Sequence, residues 1–169
     1  MTNFLSSHIG NFFKGRNGHK IIRGYFHRTA VRGDTALEEA NYFHNHCVQA
    51  SFYKVIDLKG SVIQTVYSID TEFAVNQWEE NEISVSFEFT GLEGTPLTKA
   101  QIATAIREIN TDPALKGIAK RRLTVQELPG RVVSGWANHR DVTNAYNIAN
   151  GHIDGISESE IRTILKGIK

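Results

Sequence analysis

Polar and apolar residues alternate without a break over residues 83–90. Ile83, Val85, Phe87 and Phe89 fall on one side, and Ser84, Ser86, Glu88 and Thr90 on the other. A period of two over eight residues predicts a β-strand with one apolar and one polar face. Residues 21–29 are rich in apolar side chains and read as a buried strand that delivers His27 near its C-terminal end. Residues 51–57 and 61–68 read as two strands joined at Leu58-Lys59-Gly60, a hairpin pattern. A short apolar run at 132–136 leads straight into His139.

Three segments have helical signatures instead. Thr35 followed by Glu38, Thr98 followed by Gln101, and Ser157 followed by Glu160 each have the spacing of a capping box. The first predicts a helix to about Cys47, with Ala36, Leu37, Ala40, Tyr42 and Phe43 supplying apolar content. The second predicts a helix over residues 99–110, with Ile102, Ile106 and Ile109 at helical spacing, after which Pro113 interrupts it or opens a shorter piece. In the third, Ile161, Ile164, Leu165 and Ile168 form an apolar stripe. Residues 4–13 read as a short helix or an arm, ended by Gly15 and the Asn17-Gly18 turn. Arg32-Gly33-Asp34 reads as a turn, and residues 69–81 as polar and irregular. The pattern predicts a mixed α/β class: one domain over residues 1–169, with a central mixed β-sheet flanked by helices.

Composition narrows the function classes. With 40% hydrophobic and 22% charged residues the chain is ordinary for a globular protein. A net charge of +1 gives no strong field toward nucleic acid or an anionic membrane. The basic cluster Lys120-Arg121-Arg122 is short and reads as a solvated helix end or loop. No run approaches 18 apolar residues, and residues 1–20 lack the apolar core of a secretory signal. The single cysteine, Cys47, excludes an intrachain disulfide and reads as a packed small residue.

The candidate chemistry lies in residues 138–155, NHRDVTNAYNIANGHIDG. This glycine-bearing, loop-like stretch holds His139, Asp141, His152 and Asp154. Together with His27 it offers the imidazoles and carboxylates of a hydrolytic zinc site, which takes three protein ligands and leaves a fourth position for water. His44 and His46, two apart on a helix, point to different faces and read as surface residues, as do His8 and His19. Asp141 reads as a cap or brace supporting His139.

Six segments in order carry a family resemblance: IIRGYFHRTA, ASFYKVIDLKGSVIQTV, ISVSFEFTG, PLTKAQ, the passage GIAKRRLTVQELPGRVVSGWANHRDV, and GHIDG. Over residues 21–155 the chain resembles type-2 N-acetylmuramoyl-L-alanine amidases. These share a fold with peptidoglycan recognition proteins, and the amidase domains of actinobacteriophage endolysins are the most similar in flavour. Where relatives often carry Trp-His-Ala-Gly after an Asp-Thr pair, this chain follows Asp70-Thr71 with Glu72-Phe73-Ala74-Val75.

The resemblance implies Zn2+ as cofactor, with His27, His139 and Asp154 as ligands. His152 remains an alternative third ligand. It implies Glu88 as general base, His152 as a hydrogen-bond donor to the oxyanion, and Phe52 or Tyr53 near the substrate. The implied activity is hydrolysis of the amide between N-acetylmuramic acid and L-alanine in peptidoglycan. A non-catalytic peptidoglycan-binding module and a structural phage tail component are the alternatives. A monomer is expected, with no nucleic-acid partner and no membrane insertion. The absence of a signal peptide fits an endolysin held in the host cytoplasm before release, or a virion-associated lysin. The last helix, in residues 156–169, is where a separate wall-binding domain would follow.

Overall fold

The computed structural model describes residues 2–29, 34–149 and 151–169. The strands are β1 (Asn3–Phe4), β2 (Phe12–Phe13), β3 (Arg23–Arg28), β4 (Lys54–Ile56), β5 (Val62–Gln64), β6 (Thr71–Glu72), β7 (Ser84–Phe89) and β8 (Gly135–Asn138). The helices are α1 (Ala36–Asn45), α2 (Trp78–Ile83), α3 (Lys99–Thr111), α4 (His139–Ala145) and α5 (Glu158–Gly167). Six strands form one sheet in the order β1-β5-β4-β7-β3-β8, and β2 pairs with β6 apart from it. β4, β7, β3 and β8 run parallel; the predicted hairpin supplies the antiparallel β4–β5 pair. All three predicted capping boxes form.

The pleat and the register divide the sheet into two unlike faces. His27 pairs with Glu88, Tyr25 with Ser86 and Arg23 with Ser84, so these six side chains share one face. The opposite face carries Phe26, Phe87, Phe89 and Trp136, packed with Ala105 and Ile109 of α3 and Ile161 and Ile164 of α5. The Phe26 and Trp136 rings stack at 5.1 Å. Their closeness depends on Gly24, because a Cβ there would lie 2.2 Å from the Trp136 ring. The polar face is paired internally in part. Arg23 Nη1 meets Glu80 Oε1 at 2.6 Å, and the hydroxyls of Tyr25 and Tyr146 each donate to Glu80 at 2.6 Å. Arg23, Tyr25 and Glu80 thus gain partners there in place of water, whereas Ser84 Oγ, Ser86 Oγ and His27 Nε2 on the same face are buried without one.

Several sequence expectations change. Residues 4–13 hold the end of β1, a 3-10 turn at Ile9–Asn11 and β2, not an α-helix. Residues 69–81 are not irregular throughout, since they hold β6 and the start of α2. The helix escapes a hydrophobicity pattern because its buried residues include Glu80, Asn81 and Glu82. The stretch 138–155 is a loop only in its second half, because α4 begins directly at the end of β8. Cys47 is exposed, since α1 ends at Asn45 and leaves it beyond the packed face. Arg122 is half-buried, pairing with Asp141 at 2.8 Å and Glu158 at 2.7 Å. The turn predicted at 32–34 lies partly outside the described residues. No described helix is long and apolar enough to cross a membrane.

Candidate metal centre and cleft

The parallel strands deliver the candidate residues to one edge of the sheet. His27 lies near the C-terminal end of β3, Glu88 near that of β7, and His139 follows directly on β8. The carboxyl ends of parallel strands are where open α/β sheets place their ligands. Asp154 arrives from a different direction, on the segment after α4. That segment is tied down at several points. Asn138 Nδ2 donates to Ile156 O at 2.9 Å, and Ile156 N donates to Asn138 Oδ1 at 3.0 Å. The Thr143 hydroxyl donates to His152 O at 2.6 Å, and Arg140 N to Asp154 O at 3.2 Å. The Asp141 carboxylate accepts from Asn138 N at 2.6 Å and caps α4, which fixes the turn of chain that presents His139.

Three side chains converge. Asp154 Oδ1 is 2.8 Å from His139 Nδ1, and Asp154 Oδ2 is 3.3 Å from His27 Nδ1. One donor atom from each residue lies within 4.8 Å of the others. Ligands about 2.0–2.2 Å from a tetrahedral zinc ion would be separated by about 3.3 Å, and the Asp154 carboxylate lies near that spacing from both imidazoles. Asp154 Oδ1, His27 Nε2 and His139 Nε2 are buried without hydrogen-bond partners. The 2.8 Å approach to His139 is therefore close without being aligned as a hydrogen bond. Two imidazoles and a carboxylate left in this state fit a divalent cation. Burial lowers the His27 pKa against the opposing effect of Asp154, which favours the neutral, ligating imidazole. Burial works to raise the Asp154 pKa, but His139 and His27 outweigh it and hold the carboxyl well below its ordinary range.

A cleft of about 550 Å³ opens over these residues. Glu88 lines it, and burial, followed by the charges of Asp154 and Glu39, pushes its pKa well above the ordinary carboxylate range. His152 is exposed and stacks on His139 with ring centroids 5.5 Å apart, outside the convergent trio. Phe52 lines the cleft and meets the His27 ring edge-on at 4.9 Å. Tyr53 points elsewhere: it is buried, and its hydroxyl donates to Asp112 Oδ2 at 2.6 Å. Of the two aromatic residues expected near a substrate, Phe52 alone faces the cleft.

Sequence reading missed Glu39, a half-buried cleft residue of α1 whose pKa is raised to about 7 by burial and by Asp34. Its spacing of four from Phe43, which also lines the cleft, was the available signal. Gln49, Asn76 and Glu93 line the cleft too, from loops with no pattern to mark them.

No sequence-family model matches the chain, nor does any curated protein by sequence. Solved structures do match. The hydrolase AmiA of Staphylococcus aureus, crystallised with its ligand, aligns over 99% of this chain and 82% of its own, with a TM-score of 0.72 and 15% identity. A mutant endolysin from Bacillus subtilis aligns over 100% of both chains, with a TM-score of 0.66 and 16% identity. The endolysin N-acetylmuramoyl-L-alanine amidase LysCS from Clostridium intestinale URNW aligns over 100% of this chain and 97% of its own, at 0.61 and 12%. The mixed sheet with flanking helices is thus the amidase-2 type fold, shared with structures of N-acetylmuramoyl-L-alanine amidases.

Proposed function

We propose that the protein is a zinc-dependent N-acetylmuramoyl-L-alanine amidase that hydrolyses the amide between the lactyl group of N-acetylmuramic acid and L-alanine in peptidoglycan. The observation that carries this reading is the convergence of His27, His139 and Asp154 at the floor of a cleft that also holds Glu88, on this fold. His27, His139 and Asp154 would hold the ion. When bound, it supplies Lewis acidity toward a carbonyl oxygen and water.

The chain's own residues account for the rest. Glu88, in its buried position with a raised pKa, is suited to take a proton from the attacking water and pass it to the leaving amine. Asp154 stays ionised between its two imidazoles and keeps their Nδ1 atoms turned inward. His152, stacked on His139, would donate a hydrogen bond to a developing oxyanion. Phe52 packs edge-on against the His27 ring in the cleft wall. An endolysin-type role in wall lysis goes with this reading, since structural neighbours include proteins described as endolysins.

The test is metal content together with product chemistry. Purified protein should hold about one zinc per chain and release free N-terminal alanine from cell walls without new sugar reducing ends. Metal-free protein that stays bound to insoluble peptidoglycan without turnover would replace this reading with a binding module.

A further inference from the structure

We propose that a second hollow, continuous with the cleft, is a glycan subsite. In it the rings of Phe73 and Trp78, edged by the carboxamides of Gln49, Asn76 and Gln77, take the saccharide strand that bears the scissile amide. This rests on the amidase reading for its substrate class, but the features that carry it are separate from the metal centre.

The hollow has a volume of about 360 Å³ and shares Gln49, Phe73 and Asn76 with the cleft, so one ligand can run from one to the other. Trp78 opens α2 and is 41% exposed. Its ring is held by Phe13, edge-on at 5.5 Å, and by Phe73 at 6.1 Å. An indole left this exposed, buttressed by two other rings, keeps a flat apolar surface in water that a ligand can cover.

The lining chemistry is selective. Among the described residues the hollow is lined by aromatic, aliphatic and carboxamide side chains and by no ionisable one, whereas the cleft beside it holds Glu39, Glu88, Glu93 and Asp154. Carboxamides both donate and accept, as hydroxyl and acetamido groups do, and an aromatic plane suits the C–H face of a pyranose ring. An uncharged, hydroxyl-rich polymer fits this surface better than a charged peptide does.

The shelf is also built in advance. Asn81 Oδ1 accepts from Ala74 N at 3.3 Å and Val75 N at 3.0 Å, fixing the loop beside Trp78. Buried Asn11 accepts through Oδ1 from Val48 N at 2.8 Å and Gln49 N at 2.9 Å, and so holds Gln49 in its left-handed conformation, φ +55. Both restraints lower the ordering cost of binding.

The test uses the full chain in two measurements. Calorimetry with the β-1,4 tetramer of N-acetylglucosamine should show saturable binding to the wild type. Trp78→Ala should weaken it by about tenfold or more, and Trp78→Phe, which keeps a ring, should restore most of it. On substrates, the ratio of kcat/KM for a tetrasaccharide-bearing muramoyl peptide to that for a single muramoyl peptide should fall by a similar factor in Trp78→Ala. Wild type that does not bind the tetramer, or Trp78→Ala that matches wild type in both affinity and ratio, overturns the subsite. If Trp78→Ala does not fold, Gln49→Ala at an exposed position carries the same comparison. Trp78-dependent binding by a wild type that releases no alanine would sink the amidase reading and leave the subsite standing. Cleavage by wild type with both affinity and ratio unchanged in Trp78→Ala would do the reverse.

Discussion

At the residue scale the sharpest question is which side chain completes the proposed metal site after His27 and His139. Asp154 lies between the two imidazoles and also accepts from Arg28 N at 3.1 Å, so its carboxylate is oriented before any ion arrives. His152 stacks on the outside of His139 and is exposed. Asp154→Ala should therefore lower zinc affinity beyond the roughly 10–100-fold typical of losing an outer-shell partner. His152→Ala should keep about one zinc per chain and lose about 10²-fold or less in kcat. Metal analysis after dialysis separates them, and zinc loss in His152→Ala alone would reverse the assignment. Glu88→Gln keeps the shape of the side chain and removes its basicity. It should bind zinc normally and turn over about 10²–10⁴-fold more slowly, read from alanine release. Normal cleavage by that variant would remove Glu88 from the mechanism. The His27, His139, Asp154 and Glu88 positions were legible because two strand ends, the start of α4 and one loop recur in a recognisable order. Phe52 and Tyr53 were not separable, because neighbours on an extended chain point to opposite sides and composition does not say which side holds the cleft.

Elements defined by periodicity or a cap were legible; elements defined by buried polar contacts were not. The strand from the 83–90 alternation and the three capped helices appear within a few residues of their predicted bounds. α2 was missed because Glu80 replaces an apolar contact with an ion pair to Arg23, which no hydropathy pattern displays. The segment that carries Asp154 is held by Gly155, where φ is +147 and a Cβ would lie 2.6 Å from Asn138 Cγ. Gly155→Ala should break the paired Asn138–Ile156 hydrogen bonds, cost about 1–3 kcal/mol in thermal or denaturant unfolding, and weaken zinc binding as Asp154 moves. A stable variant with normal zinc affinity would show that the segment adapts. α1 offers a pH test through Glu39, whose pKa rises from an ordinary 4.5 to about 7 in the fold. The folded state then holds a proton that the unfolded state releases, so Glu39 lowers stability as pH rises from about 4.5 to 7. Glu39→Gln should therefore raise Tm relative to wild type at pH 8 and make little difference at pH 4. An identical gap at both pH values would rule out that coupling.

For the whole molecule, the two faces of the sheet divide the work. The face toward α3 and α5 is a continuous apolar cluster built around Phe26, Phe87 and Trp136, and the proposed ligands His27, His139 and Asp154 lie beyond it, at the ends of β3 and β8 and on the loop after α4. A second cluster around Tyr25, Leu123 and Val142 supports the other face independently of any ion. The fold should therefore persist without zinc, unlike small domains whose core is the metal itself. Binding to the folded state alone still adds stability by mass action. At free zinc about 1,000 times its dissociation constant the gain is about 4 kcal/mol. In a chain of this size that corresponds to about 8–16 °C in Tm. Chelation should abolish hydrolysis, lower Tm in proportion to the logarithm of free zinc, and leave the far-ultraviolet circular dichroism spectrum of a folded α/β protein. Added zinc should restore both activity and Tm. Collapse of the spectrum on chelation would mean that Asp154 and its two histidines hold the sheet edge together, and that the apolar clusters alone do not suffice.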